Sequence, residues 1–172
     1  KNYRYQIRAD IKSYYASINH DILIKQIKSE FKDPRLNAYL ESIITHVIDR
    51  GGWIETVPRG IPIRSSLSGF FAALYLKKLD ESFCNETQAF YLRYNDDIII
   101  LLRSKSQFVR AKKRLKKVLL DLKLTLSPTK TKMGKIHEGF HFLGLCFKRT
   151  QPLQNCSKTK PQTAVSLHKR CN

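Results

Sequence analysis

The order of elements legible in these 172 residues is strand, helices, hairpin, helix, strand. It predicts an α+β domain, an antiparallel sheet with helices packed on one face. Three observations carry that prediction. Residues 3–11 alternate apolar and polar side chains, as a half-buried strand does. Residues 89–103 hold two β-rich apolar runs around Asn95-Asp96, the form of a hairpin, and Asn and Asp tolerate the positive φ of a tight turn. Helical periodicity fills the chain between and after them. In a split βαβ topology the first strand lies beside the hairpin, which brings Asp10 towards Asp96 and Asp97.

The elements follow in order. After the first strand, Lys12 to Ile18 is a turn with two tyrosines. Asn19 or Asp21 can cap a helix to about Phe31, with Ile22, Leu23, Ile27 and Phe31 on one face. Asp33-Pro34 starts another, predicted to run to about Asp49 on Leu36, Leu40, Ile43, Ile44 and Val47. Gly51-Gly52 ends it. Trp53 to Val57 is a short strand and Arg59 to Ser66 a loop. Leu67 to Phe83 is one apolar helix whose small residues allow close packing. Ser104 or Ser106 caps a helix to about Leu122. Its core face is Phe108, Ala111, Leu115, Val118, Leu119 and Leu122, and its other face is Arg110, Lys112, Lys113, Lys116 and Lys117. Leu124 to Leu126, Thr131 to Lys135 and Gly139 to Phe147 are predicted strands, with a turn at Ser127-Pro128. From Lys148 the chain turns polar.

The length fits one domain, and 42% apolar residues allow a core. No apolar run reaches the roughly 18 residues of a membrane span, and no signal-peptide core follows the N-terminus. Cys84, Cys146, Cys156 and Cys171 are scattered, which suits reduced thiols in an intracellular, cytoplasmic setting. His137, His141 and Cys146 on one strand make a poor zinc site. Net charge is +18, and its distribution is uneven. Residues 1–102 hold 14 Lys/Arg against 12 Asp/Glu, whereas residues 103–172 hold 18 against 2. So few compensating acids favour an anionic polymer as partner, nucleic acid rather than membrane.

Adjacent carboxylates at the tip of an apolar ribbon raise each other's pKa and cost stability unless a cation lies between them. Three carboxylates from Asp10, Asp96 and Asp97 suit Mg²⁺, which takes oxygen ligands and substrate phosphates. Two such ions, roughly 3.5–4 Å apart, clamp the attacking and leaving oxygens of phosphoryl transfer. A basic surface beside them would hold a polyanion. The residues by themselves leave polymerase and nuclease both open.

Asp10 to His20 resembles motif A of reverse transcriptases of the group II intron and retron type, and Tyr94-Asn95-Asp96-Asp97 resembles their Tyr-x-Asp-Asp motif C. Arg59-Gly60-Ile61-Pro62, continuing to Leu67-Ser68 and Ala72 to Leu76, resembles motif B. Leu124 to Thr131 resembles motif D, and Gly139 to Leu145 resembles motif E, the primer grip. Five motifs stand in the right order over residues 3–147.

The resemblance implies a polymerase palm of the RRM or ferredoxin-like kind over residues 1–147. Residues 148–172 would be a basic tail or the start of a thumb. The fingers would be absent, so the 172 residues would be a palm taken from a longer chain or a truncated gene product, one that folds but polymerises poorly by itself. The implied activity is RNA-directed DNA synthesis with two Mg²⁺, replaceable by Mn²⁺, on an RNA template with a DNA or RNA primer and dNTPs. Asp10, Asp96, Asp97 and Lys130 would be catalytic. Asp10, Asp96, Asp97 and the Ile11 backbone carbonyl would hold metal. Tyr14, Tyr15, Gly60, Pro62 and Arg64 would meet the nucleotide, with Tyr15 as a steric gate against a 2′-hydroxyl. Phe142, Leu143 and Gly144 would grip the primer. Ile63-Arg64 follows Pro62 where the family usually has Gln-Gly, Gly69 stands for the usual Pro, and Asn95 is uncommon in motif C. Those departures keep a second reading open, a polymerase-like nucleic-acid binder with weak or no catalysis, as in phage defence.

Overall fold

A single strand, β1 (Tyr5–Asp10), is the one on which the sheet is assembled. The computed structural model describes residues 3–147 apart from 46, 50–53, 63–64, 85, 87–88, 137–139 and 144. After β1 come α1 (Tyr14–Ser17), α2 (His20–Glu30), α3 (Pro34–Ile44), β2 (Val47–Asp49) and β3 (Ile54–Thr56). Then follow α4 (Ser68–Tyr75), α5 (Lys77–Cys84), β4 (Ala89–Tyr94), β5 (Asp97–Leu102), α6 (Lys105–Asp121), β6 (Lys132–Lys135), β7 (Phe140–Phe142) and β8 (Leu145–Phe147).

The main sheet has four strands in the order β4-β5-β1-β6, every neighbour antiparallel. Strands β1 and β4 therefore run parallel with β5 between them, the split βαβ arrangement that the sequence predicts. Alternation then sorts the side chains. Ile7, Ala9, Ile98, Ile100 and Leu102 face the helices and join one core with Leu23, Phe71, Leu79 and Leu115. On the opposite face Ile99 and Leu101 pack with Phe142, and Tyr3, Phe90, Phe140 and Phe147 flank them. Strand β5 is a continuous apolar run because both of its faces are covered.

Local chemistry sets the helix starts. Asn19 caps α2, its side chain accepting from the Ile22 amide at 3.2 Å. Asp33 caps α3 with Pro34 in the first turn. Ser104 and Gln107 close a capping box on α6. The far end of α6 is a Schellman motif with Lys123 at φ 54°: the Leu124 amide donates to the Leu119 carbonyl at 2.8 Å, and the Lys123 amide to Leu120 at 2.9 Å.

Several boundaries differ from the sequence reading. The helix predicted to reach Asp49 ends at Ile44, because Val47–Asp49 pairs with Ile54–Thr56. Apolar β-branched residues suit either period, and the partner strand decides. Leu36 is 38% exposed and lies outside the core. Residues 51–52, predicted to break that helix, lie outside the described residues. The helix expected over 67–83 is two. Gln26 Nε2 donates to the Tyr75 carbonyl at 3.2 Å, and the Leu79 amide turns to Leu76 instead, at 2.9 Å. The strand predicted over 139–147 is a hairpin, β7 with β8, turning at Leu143 with φ 49°. Leu124 to Leu126 makes one isolated bridge, Leu126 to Ile11 just past the end of β1. The turn after β1 contains the short helix α1. Among the described residues no helix is long and apolar enough to cross a membrane, and Cys84 is a free, exposed thiol.

Tyr75 joins three helices. Its hydroxyl donates to the Leu122 carbonyl at 2.6 Å and accepts from the Asn19 amide at 3.2 Å, and the ring is fully buried. Burial pushes its pKa up, so the hydroxyl keeps its proton. Tyr75→Phe leaves a buried carbonyl and a buried amide unpaired. It is expected to cost about 1–3 kcal/mol in urea unfolding with an unchanged circular-dichroism spectrum; an unchanged midpoint would contradict this role.

Candidate active site

The β1–β5 ladder ends with Asp10 directly opposite Asp97. Residues opposite one another in an antiparallel pair share a face. The face here is the one away from the helices, since Ala9 and Ile98 point into the helical core. Between Tyr94 and Asp97 the chain turns at Asn95, whose φ of 51° meets the expectation for this tip. Asp10, Asp97, Arg8, Thr129, Lys130, Lys132, Phe142 and Leu143 line an open cleft of about 430 Å³.

The segment after α6 completes that cleft. The Lys12 amide donates to the Thr125 carbonyl at 2.9 Å, and the Ser127 amide to the Asp10 carbonyl at 2.8 Å. These two bonds bracket Ile11, so its own carbonyl faces away from Leu126, towards the hairpin. The Asp10 amide in turn donates to Thr131 Oγ1 at 3.4 Å. This clasp carries Lys130 back over the strand end, with Nζ 3.4 Å from Asp10 Oδ1. Asp10 is 9% exposed. Burial pushes the Asp97 carboxyl above the ordinary carboxylate range; Asp96 and Asp10 push it further, while Lys130 and Arg8 hold it down.

The hairpin tip is braced from behind. Arg93 donates through Nε to Asp80 Oδ1 at 2.8 Å, through Nη2 to Asp80 Oδ2, and through Nη1 to the Asn95 carbonyl at 3.0 Å. The Tyr91 hydroxyl donates to the same Asp80 Oδ1 at 2.6 Å. One guanidinium thus ties α5 to the turn that carries Asp96.

A second group forms around α1. The Gly60 amide donates to the Ile18 carbonyl at 2.8 Å and the Ile61 amide to the Tyr15 carbonyl at 3.0 Å. His20 Nε2 donates to the Gly60 carbonyl at 2.6 Å. Gly60 has φ 94°, which demands glycine, although a Cβ there would meet nothing closer than 3.5 Å. The loop of Gly60 and Pro62 therefore lies against Tyr15 on α1, with Tyr15 partly buried and Pro62 exposed. Tyr14 stands apart from both groups. It is 2% exposed and its hydroxyl donates to the Ala72 carbonyl at 2.5 Å, which makes it a core residue with no surface for a nucleotide. Phe142 is buried and Leu143 is 47% exposed at the cleft. Arg64 and Gly144 lie outside the described residues.

Among the described residues no three His, Cys, Asp or Glu side chains gather as a metal-holding group. Asp10 and Asp97 share the cleft, and Asp96 occupies the turn beside them. The donors still fit a hard divalent cation: they are oxygens, and the charges of Asp96 and Asp10 on Asp97 are the kind of repulsion that a cation relieves.

Residues 1–147 match the family described as reverse transcriptase (RNA-dependent DNA polymerase). The chain belongs to the reverse transcriptase family. It is 23% identical over 175 residues to Protein YkfC of Escherichia coli K12, covering 82% of this chain and 46% of that protein. Its fold is similar to that of apo telomerase from Candida tropicalis truncated from its C-terminal domain, with TM-score 0.71 and 19% identity over 86% of this chain and 34% of that one. Candida albicans telomerase in complex with a fragment of telomeric RNA gives TM-score 0.64 and 13% identity over 86% and 29%. The palm fold is thereby shown, and the chain spans less than half the length of these relatives.

In this reverse transcriptase domain the basic charge is divided in a way the sequence did not reveal. Arg8, Lys130 and Lys132 lie at the cleft, but the Lys-rich side of α6 lies across the sheet from it. Arg8 was legible: it stands two residues before Asp10 on a strand and so shares its face. His20, Arg93 and Asp80 carried no local signal.

Two outcomes test this geometry. A carboxyl with a raised folded-state pKa binds its proton more tightly than the unfolded chain does, so its contribution to stability falls as pH rises above about 4 through the folded value. In metal-free buffer Asp97→Asn is therefore expected to raise the thermal midpoint at pH 7, with the gain vanishing below about pH 4. A destabilised variant at pH 7 would contradict it. Arg93→Gln strands Asp80 and frees the turn carbonyl; a loss of about 1–3 kcal/mol is expected, with faster amide exchange at Asp96 and Asp97 than in the other strands.

Proposed function

We propose that residues 1–147 are the catalytic palm of an RNA-directed DNA polymerase of the group II intron or retron type. It would join a deoxynucleotide to a primer 3′-hydroxyl on an RNA template. The observation that carries this reading is the register of Asp10 against Asp97, in a cleft that Lys130 enters. Divalent metal, Mg²⁺ or Mn²⁺, would be held by Asp10, Asp96, Asp97 and the Ile11 carbonyl, and when bound it supplies charge neutralisation at the reacting phosphate.

The chain's own groups do the rest. Asp10 is held by the segment after α6, its carbonyl accepting from the Ser127 amide and its amide donating to Thr131 Oγ1, so its carboxylate needs little reorganisation. Lys130 holds a proton within reach of the same place and is the group suited to protonating the departing pyrophosphate. Arg8 and Lys132 supply positive charge along the cleft for phosphates. Tyr15, on α1 and tied through its carbonyl to the Ile61 amide of the loop Gly60 to Pro62, would stand against the sugar and favour deoxynucleotides. Phe142 and Leu143, on the hairpin that packs the outer face of the sheet, would hold the primer end.

The test is primer extension on an RNA template by the full-length protein with deoxynucleotides and Mg²⁺. Asp96→Asn is expected to lower extension at least about 100-fold, since even indirect partners of a metal cost 10–100-fold, while template binding is retained. A folded wild-type protein that binds template and primer without extending them would favour the binding-only reading.

A further inference from the structure

We infer that the outer face of α6 is a second nucleic-acid surface, one that takes the phosphate backbone of a double-stranded RNA segment. Arg110, Lys113, Lys116 and Lys117 are exposed on that helix. Ala111, Leu115, Val118 and Leu119 on its other side are buried against the sheet. Among the described residues no carboxylate pairs with these four cations: Lys78 takes Asp121 and Arg114 takes Glu86. From position 110 to 117 they form a stripe about 10.5 Å long, at 1.5 Å per residue. Such a density of unpaired positive charge on a folded, capped helix is complementary to a duplex that carries a phosphate charge every few ångströms.

The cleft cannot be the purpose of this stripe. Asp10 and Asp97 face the opposite side of the sheet, and the roughly 10 Å diameter of a helix lies between. A duplex seated at the carboxylates meets Arg8, Lys130 and Lys132, not α6. The composition of the face selects the form of the ligand. Its exposed members besides the cations are Ser106, Val109, Leu120 and Asp121, the last paired with Lys78, with no ring on which an unpaired base could stack. Single-strand sites rely on such rings, so contact here is to backbone and indifferent to sequence. The choice of RNA rests on the polymerase reading above, in which RNA is the long polyanion the protein must hold.

The experiment measures equilibrium binding by the full-length protein to a 20-base-pair RNA duplex, its single strand and the same-sequence DNA duplex, over a salt series. Lys113→Glu, Lys116→Glu and Lys117→Glu are combined in one variant. A control combines Lys25→Glu, Lys32→Glu and Arg35→Glu, also exposed, so that net charge is matched. The α6 variant is expected to bind duplex RNA about tenfold or more weakly, with a salt slope shallower by about two to three. The control should change far less, and primer extension at saturating template should be kept. Equal losses in both variants would reduce the effect to net charge and overturn the proposal. So would unchanged RNA binding by the folded variant. Equal loss on the DNA duplex would overturn the assignment to RNA. None of these readings needs catalysis, so a failed extension assay leaves this test intact.

Discussion

A one-residue slip between β1 and β5 would turn Asp10 into the helical core and Ala9 out to the cleft. The register is therefore the constraint on which the site depends, and burial enforces it. Opposed residues in an antiparallel pair stand about 5 Å apart, and two ionised carboxylates at that distance repel by ~3 kcal/mol at an effective dielectric near 20. Against this, Ile98, Ile99, Ile100, Leu101 and Leu102 are all buried. At ~1.5–3 kcal/mol for each such side chain, their burial amounts to on the order of 10 kcal/mol. The apolar strand holds the acids in opposition; burial raises the pKa of Asp97, and the charges of Asp96 and Asp10 add to that rise.

The same strand explains why the domain has two unlike surfaces. Helices cover one face of the sheet and the hairpin of β7 and β8 covers the apolar half of the other. What stays open on that second face is the polar end, where Arg8, Asp10, Asp97, Lys130 and Lys132 meet. The clasp from Thr125 to Thr131 belongs to the same design. Its backbone bonds to Asp10 and Lys12 fix the strand end and bring a cation to a carboxylate 120 residues away in sequence.

Behind the sheet, the hydroxyl of Tyr75 and the guanidinium of Arg93 act as local ties between helices and strand ends. Neither leaves a pattern in the sequence, because each bond joins segments far apart. Tyr14 shows the converse. Its neighbour Tyr15 stays partly accessible, yet Tyr14, in the same motif, is turned inward to Ala72 by the first turn after β1.

What the sequence determined by itself was whatever depends on period, capping and turn chemistry. Alternation over residues 3–11, Asn95 at the tip, and Asn19, Asp33 and Ser104 as caps are local, and all lie where expected. The two Asp residues on adjacent strands followed once the topology was chosen. Tertiary structure decided the points at which local signals were equal. Val47–Asp49 is a strand because Ile54–Thr56 pairs with it, and one apolar helix became two because Gln26 takes the Tyr75 carbonyl. It also decided which side of the sheet the α6 lysines occupy. A count of charges in residues 103–172 holds no direction in space; direction comes only when the apolar face of a helix finds the sheet it must cover.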